Sequence, residues 1–219
     1  MEITKPNLIL AGGTGLIGQH AIDYLLQHPE YVDNIYAVTR RPLAQSADSL
    51  VTLPNDEFDS SLTIKASLGL ICLGTTKKQA GSNEALYRID HDLVISFAKT
   101  MKSLGVKRLG VVSSYGAKTE SPSHYLKCKG EMERDLRQLG FEHLIIARPG
   151  PLLGERSLPR WDEVVLQKVL KVVKPVMVGP IENLRPILAQ DVASYLVDGL
   201  CNEANDSGET IAHYREMTR

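Results

Sequence analysis

The sequence has few of the features that mark membrane proteins, metal-binding proteins or nucleic-acid binders. Among 219 residues, 25 basic and 26 acidic side chains give a formal net charge of −1, so no strong field favours nucleic acid or an anionic membrane as a partner. No apolar run approaches the ~18 residues of a membrane span. Three cysteines and six histidines lack metal-ligand spacing, which predicts no metal site and reduced thiols in a cytoplasmic protein. The polar first residues do not resemble a signal peptide.

The sequence does contain a regular alternation of short apolar runs and longer segments with helical spacing. The runs predict strands at Leu8–Ala11, Ile35–Thr39, Leu50–Leu53, Leu68–Leu73, Arg108–Ser113, Leu144–Ala147 and Glu209–His213. The helical spacing predicts helices at Ile17–Leu26, Asn83–Leu104, His124–Leu139, Glu163–Val173 and Gln190–Leu200. This alternation predicts an α/β protein with a doubly wound parallel sheet. We expect one domain over 1–219, in which 151–219 form a small C-terminal cap on the substrate side.

A glycine-rich turn joins the first predicted strand to the first predicted helix. It reads Gly12-Gly13-Thr14-Gly15-Leu16-Ile17-Gly18. At this spacing one glycine permits the tight turn, one lets the backbone approach a pyrophosphate, and one lets helix and strand pack closely. The backbone N–H groups of Leu16 and Ile17, at the helix start, would face the phosphates. The turn therefore predicts a dinucleotide site, although a plain strand-to-helix turn has the same form and Thr14 is equally suited to capping the helix.

The end of the second predicted strand indicates which dinucleotide binds. An NAD site has an acidic residue about 20 residues after the glycines, where it accepts a hydrogen bond from the ribose 2′-hydroxyl. Here the strand ends in Thr39-Arg40-Arg41-Pro42. Guanidinium groups bind a 2′-phosphate through paired, charge-assisted hydrogen bonds. We predict NADP(H) in preference to NAD(H), with Arg40 favoured over Arg41, against the alternative that both arginines only form a solvated loop.

A tyrosine, a lysine and two serines suit carbonyl chemistry. Tyr125 and Lys129 are four residues apart, hence on one face of a helix, and Ser113 and Ser114 stand at the carboxyl end of a predicted parallel strand, where ligands bind in open α/β sheets. A tyrosine can exchange a proton near neutrality when a nearby ammonium stabilises its phenolate. The alternative is an ordinary exposed pair on a helix surface.

These residues resemble the short-chain dehydrogenase/reductase superfamily, and more narrowly its atypical branch of Tat-interacting-protein-like oxidoreductases and their bacterial relatives. The resemblance covers nearly the whole chain. Besides the glycine turn, Thr39-Arg40-Arg41-Pro42 and the Tyr125–Lys129 pair, it rests on Cys72-Leu73-Gly74-Thr75-Thr76, Val112-Ser113-Ser114, Gly130-Glu131, Arg148-Pro149-Gly150 and Asp191-Val192-Ala193. The Cys-Leu-Gly-Thr-Thr stretch, followed by Ala80-Gly81, is the part most specific to the branch.

The resemblance implies a Rossmann-like fold, NADP(H) and a Ser-Tyr-Lys active site. The implied catalytic residues are Ser114, Tyr125 and Lys129, with Ser113 as the fallback serine. The implied coenzyme contacts are Gly12, Thr14, Gly15, Leu16, Ile17, Arg40, Arg41, Leu73, Gly74, Thr75, Tyr125, Lys129, Pro149 and Gly150. The asparagine that the family usually has on the long helix falls at Asp90, and this departure puts the family's lysine-linked water relay in doubt.

Three functions are compatible with this pattern. The leading hypothesis is an NADP(H)-dependent oxidoreductase that transfers hydride to a carbonyl-like small molecule, as a monomer or homodimer without nucleic-acid or membrane partners. The second is a regulatory protein that senses NADP(H) without significant turnover. The third is a nucleotide-sugar epimerase or dehydratase, which would favour tightly held NAD.

Overall fold

The computed structural model describes residues 5–153, 179–202 and 208–218. Its strands are β1 (Leu8–Ala11), β2 (Ile35–Thr39), β3 (Leu50–Pro54), β4 (Leu68–Ile71), β5 (Arg108–Val112), β6 (His143–Ala147), β7 (Leu152–Leu153), β8 (Ile187–Leu188) and β9 (Gly208–Ala212). Seven of them form one parallel sheet in the order β3-β2-β1-β4-β5-β6-β9, and β7 pairs with β8 separately. The predicted doubly wound Rossmann-like fold is confirmed.

The alternation of side chains along β1 explains why the sheet has helices on both faces. Leu8 and Leu10 belong to one hydrophobic cluster, whereas Ile9 and Ala11 belong to the other. Successive residues of a strand point to opposite faces, so an all-apolar run must be covered on both sides. All four residues of β1 are 0% exposed.

The helices that cover the sheet are close to those predicted. They are α1 (Leu16–Gln27), α2 (Lys77–Ala80), α3 (Asn83–Tyr87), α4 (Leu93–Ser103), α5 (His124–Gln138), α6 (Ala189–Cys201) and α7 (Tyr214–Met217). Helices α1 and α6 contribute to the cluster that contains Leu8, and α4 and α5 contribute to the one that contains Ile9. A 3₁₀ turn spans Gly179–Leu184.

The predicted long helix from Asn83 to Leu104 is interrupted. A π-helical turn at Arg88–Asp92 separates α3 from α4. Such turns are common at functional sites, and this one contains Asp90, which is completely buried.

The described part of the C-terminal region contributes to the main layers of the fold. Strand β9 pairs with β6 as the seventh strand of the sheet, and α6 packs against the sheet on the same side as α1. The predicted helix at Glu163–Val173 lies outside the described residues. Within the described ranges, no helix has both the length and the apolar character needed to cross a membrane.

Candidate active site

The glycine turn lies where the order of the strands reverses, because β1 is flanked by β2 on one side and β4 on the other. Open α/β sheets bind ligands in the crevice at such a point. Gly12 has φ +91°, and a Cβ there would lie 2.8 Å from the backbone carbonyl of Cys72. A Cβ on Gly18 would lie 2.2 Å from the carbonyl oxygen of Gly12. Only glycine fits at these two positions.

The start of α1 is suited to an anion. Gly15 is its N-cap residue, without a side-chain capping hydrogen bond, and the first turn contains no acidic residue. The N–H groups of the first helical residues, Leu16 and Ile17, have no acceptor within the helix, and the helix dipole adds partial positive charge there. The residues present therefore fit the pyrophosphate of a dinucleotide.

The end of β2 brings Arg41, rather than Arg40, to the glycine turn. The Thr39 hydroxyl donates to the Arg41 carbonyl at 2.8 Å and accepts from the Arg41 N–H at 3.2 Å, which fixes the turn. The guanidinium of Arg41 then donates to the hydroxyl of Thr14 at 3.2 Å. Both arginines are exposed and line a cavity of about 670 Å³.

That cavity is not lined by positive charge alone. Asp56, which follows β3, also lines it. Asp56 lies beyond the end of β2, the segment from which the coenzyme preference was predicted, so that prediction did not include this carboxylate.

The two serines after β5 have different surroundings. Ser113 is 3% exposed, and its hydroxyl donates to the Glu133 carboxylate at 2.5 Å. Ser114 is half-buried, and among the described residues its hydroxyl has a single long contact, 3.4 Å, with the carbonyl of Tyr115. The geometry therefore favours Ser114 over Ser113 as the serine available to a ligand.

Tyr125 and Lys129 both lie on α5, and Lys129 is held by a second charged residue. Its Nζ is 2.8 Å from Oδ1 of Asp90, and the two side chains are 2% and 0% exposed. The other carboxylate oxygen of Asp90 accepts from the backbone N–H of Thr75 at 2.8 Å. Tyr125 is half-buried, one turn before Lys129. Asp90 therefore takes a direct ionic role where the resemblance implied an asparagine.

The charge state of Lys129 follows from two opposing effects. Burial disfavours the ammonium and by itself would lower the pKa of Lys129, but the charge of Asp90, with a smaller contribution from Tyr125, raises that pKa above its usual value. Burial is the largest single effect, and the interactions that favour the ammonium outweigh it only together.

The remaining predicted coenzyme contacts follow β4 and β6. Leu73, Gly74 and Thr75 come directly after β4, and the Thr75 amide is the group bonded to Asp90. The Pro149 carbonyl accepts from the N–H of Tyr115 at 2.9 Å. A Cβ on Gly150 would lie 2.8 Å from the carbonyl oxygens of Asn183 and Arg185. The segment after β4 is therefore held by the Asp90 carboxylate, and the segment after β6 by contacts with backbone atoms.

A buried carboxylate that the sequence reasoning missed joins several of these elements. Glu133 is 1% exposed and accepts hydrogen bonds from Ser113 and from the guanidinium of Arg148. One signal could have found it: Glu133 is four residues beyond Lys129, hence on the face of α5 that already holds Tyr125 and Lys129.

A larger depression, of about 840 Å³, opens at the opposite edge of the sheet, where the strands begin. Asn7, Ser67 and Arg108 contribute to it. Because open α/β sheets bind ligands at the carboxyl ends of their strands, the glycine turn is the candidate functional site rather than this depression.

A parallel sheet with a glycine turn at its switch point defines a Rossmann-like α/β protein with a candidate dinucleotide site. The chain belongs to the HIM1 family, whose model matches residues 22–177. It is 40% identical over 156 residues to protein FMP52 of Kluyveromyces lactis, covering 69% of each chain, and 35% identical over 198 residues to FMP52 of Candida albicans, covering 86% of this chain and 85% of that one.

Two solved structures share the fold at low sequence identity. A UDP-glucose 4-epimerase has a TM-score of 0.69 at 14% identity, with 94% of this chain and 76% of that one covered. MoeE5 in complex with UDP-glucose and NAD has a TM-score of 0.67 at 18% identity, with 95% and 75% covered. These likenesses support a short-chain-dehydrogenase-like or epimerase-like fold.

The prediction of a cytoplasmic location is wrong. The FMP52 relatives from Kluyveromyces lactis, Candida albicans and Saccharomyces cerevisiae are each named as mitochondrial. These names point to the mitochondrion rather than the cytoplasm.

Proposed function

We propose that this protein is an NADP(H)-dependent oxidoreductase of the short-chain dehydrogenase type that acts on a carbonyl-like small molecule. The observation that carries the proposal is the chain of contacts at one sheet edge. Lys129 pairs with Asp90, and Asp90 binds the Thr75 amide. Thr75 follows β4 a few residues after Cys72, whose backbone is packed against Gly12 of the glycine turn. These contacts link the Tyr-Lys pair to the dinucleotide turn, which supports a common site for the two.

The side chains have distinct roles in this proposal. When bound, the coenzyme supplies a hydride for the carbonyl carbon of the substrate. The Tyr125 phenol gives its proton to the carbonyl oxygen, and the ammonium of Lys129, one helical turn away, stabilises the phenolate that remains. The Ser114 hydroxyl donates a hydrogen bond to the same oxygen.

We extend the proposal to the family branch of the chain, its domain organisation and its assembly state. We place the chain in the Tat-interacting-protein-like branch, on the Cys72-Leu73-Gly74-Thr75-Thr76 motif. We also propose that it is one dinucleotide-binding domain whose region 151–219 contributes the substrate side, and that it works as a monomer or homodimer on a small molecule, without nucleic-acid or membrane partners.

The test combines NADPH calorimetry with a screen of carbonyl compounds and the variant Tyr125→Phe. Removing the phenolic proton donor should lower turnover about 100-fold, the lower end of the range for general acid catalysis, while NADPH affinity stays near that of the wild type. Tyr195→Phe is the matched control, because Tyr195 is also half-buried but lies on α6.

Two results would contradict the catalytic assignment. Unchanged turnover in Tyr125→Phe would remove Tyr125 from the chemistry. Tight NADPH binding by a wild-type protein that turns over nothing in the screen would favour the NADP(H)-sensing alternative.

Coenzyme preference is tested by Arg41→Ala, since the Arg41 guanidinium reaches the glycine turn. Losing a charge-assisted hydrogen bond to the 2′-phosphate should weaken NADPH binding about tenfold. NADH affinity should be unchanged, because NADH lacks that phosphate. Arg40→Ala is the control, and calorimetry with both coenzymes is the measurement. A larger loss of NADPH affinity in Arg40→Ala would move the assignment to Arg40, and a wild-type preference for NADH would overturn the NADP(H) proposal.

A nucleotide-sugar epimerase or dehydratase is the second candidate, favoured by the fold likeness to a UDP-glucose 4-epimerase. Such an enzyme would keep its coenzyme between the oxidation and the reduction of one substrate. Purification of the protein with firmly bound oxidised NAD, together with saturable binding of UDP-glucose, would favour this candidate over the reductase.

A further inference from the structure

Asp90 and Lys129 form an ion pair from which solvent is almost completely excluded. Their charged atoms are 2.8 Å apart, with side chains 0% and 2% exposed. The second oxygen of the Asp90 carboxylate accepts the Thr75 amide. One carboxylate therefore holds both the ammonium of the Tyr-Lys pair and the backbone that follows β4.

The other groups around Lys129 do not replace this charge. Within the described ranges, the titratable groups acting on it are Asp90 from the π-helical turn and Tyr125 and Cys128 from its own helix. Burial raises the pKa of the Cys128 thiol to about 12, so that residue stays uncharged at neutral pH. The Nζ of Lys129 also donates to the carbonyl oxygen of Val112, on strand β5, at 3.4 Å. Asp90 is the carboxylate that contacts the Lys129 ammonium directly, whereas Glu133, one turn further along α5, is bonded to Ser113 and Arg148.

A buried ammonium without a partner tends to lose its proton, because the charged form is poorly solvated. We propose that Asp90 is a positioning residue that keeps Lys129 protonated inside a closed site and fastens the segment after β4 to it. The inference rests on the proposed function, since the charge on Lys129 matters for catalysis only if it acts on Tyr125.

The variant Asp90→Asn tests the inference, because asparagine retains an oxygen for the Thr75 N–H but loses the charge. In the wild type the pKa of Lys129 is raised above its unfolded value, so its contribution to stability persists until the pH passes the ordinary lysine pKa. In Asp90→Asn that pKa should fall below the unfolded value. The unfolded chain then binds a proton that the folded chain lacks, and stability rises with pH.

The measurement is the unfolding free energy of both proteins by urea titration from about pH 7 to about pH 9.5, below the ordinary lysine pKa. The difference in unfolding free energy between wild type and Asp90→Asn should become smaller as the pH rises. Its slope against pH should approach the value that corresponds to about one proton per molecule. The matched control is the double variant Asp90→Asn with Lys129→Met, which has no ammonium to titrate and should lack this slope. A gap that stays constant with pH, or the same slope in the double variant, would overturn the inference.

A measurement on the wild type covers the case in which Asp90→Asn does not fold. The side-chain nuclear magnetic resonance signal of Lys129 should keep its protonated shift up to or beyond about pH 10.4, the ordinary lysine pKa. Deprotonation of Lys129 at a lower pH would contradict the proposal that Asp90 keeps it protonated.

These experiments need neither coenzyme nor substrate, so the two proposals can fail separately. NADPH binding and Tyr125-dependent turnover without the pH slope would overturn only the role of Asp90. The slope without any NADPH binding would support the protonation role while overturning the proposed function.

Discussion

Replacing Gly18 with alanine should abolish measurable NADPH binding and lower the unfolding free energy by about 3 kcal/mol. The new Cβ would lie 2.2 Å from the Gly12 carbonyl oxygen, 2.8 Å from its carbon and 2.9 Å from the Cα of Gly13. These are backbone atoms of the turn, so either the turn or the start of α1 must move. Since the free N–H groups of that helix start form the proposed phosphate site, the movement should remove binding together with stability. Urea unfolding and calorimetry measure the two effects.

The matched control is Gly199→Ala, also at a helical glycine. There the added Cβ would lie 3.0 Å from Cδ1 of Ile145, the end of a side chain that can shift. The better helix propensity of alanine offsets part of the contact, so stability should change by no more than about 1 kcal/mol, with NADPH affinity unchanged. Wild-type affinity in Gly18→Ala would show that the phosphates do not bind at this turn.

Replacing Glu133 with alanine should cost about 3–5 kcal/mol, the range for removing one partner of a buried ion pair. Glu133 is 1% exposed and accepts from the Ser113 hydroxyl at 2.5 Å and from Nε of Arg148 at 2.9 Å. Its loss leaves the guanidinium of Arg148 without this carboxylate. Because Ser113 and Arg148 directly follow β5 and β6, the loop that carries Ser114 should loosen as well. Urea unfolding gives the cost.

Two further variants distinguish the buried contacts of Glu133 from an ion pair on the surface. Arg134→Ala, on the same helix, removes an exposed pair with Asp135 and should change stability by less than about 1 kcal/mol. Glu133→Ala combined with Arg148→Ala should be less destabilising than the sum of the single variants, by at least about 1 kcal/mol. Additive losses would mean that the two residues do not act as a unit.

Local periodicity carried most of the fold prediction. The all-apolar run Leu8–Ala11 is typical of a strand covered on both faces, and the glycine spacing after it needed no knowledge of distant residues. Tyr125 and Lys129 were paired by their spacing alone, since residues four apart share a helix face. The seven-stranded sheet and the positions of α1, α5 and α6 confirm that reasoning.

The interruption of the long helix was not visible in the sequence. The apolar spacing from Asn83 onward is helical, and nothing in it marks the π-helical turn at Arg88–Asp92. The location prediction failed for a different reason. Few cysteines and no long apolar run argue against disulfides and a membrane span, but they do not distinguish one reducing compartment from another.

The sequence by itself determined the class of fold and the edge of the sheet where a ligand would bind, because strand and helix periods and the glycine turn are local properties of the chain. Only the tertiary structure decided which partner each polar side chain has. It placed the Ser113 hydroxyl in a hydrogen bond with Glu133 and left the Ser114 hydroxyl accessible. It also brought Arg41 to Thr14 and paired Asp90 with Lys129. These contacts join residues on different elements, and their distances depend on how the helices pack on the sheet. No spacing along the chain encodes that packing.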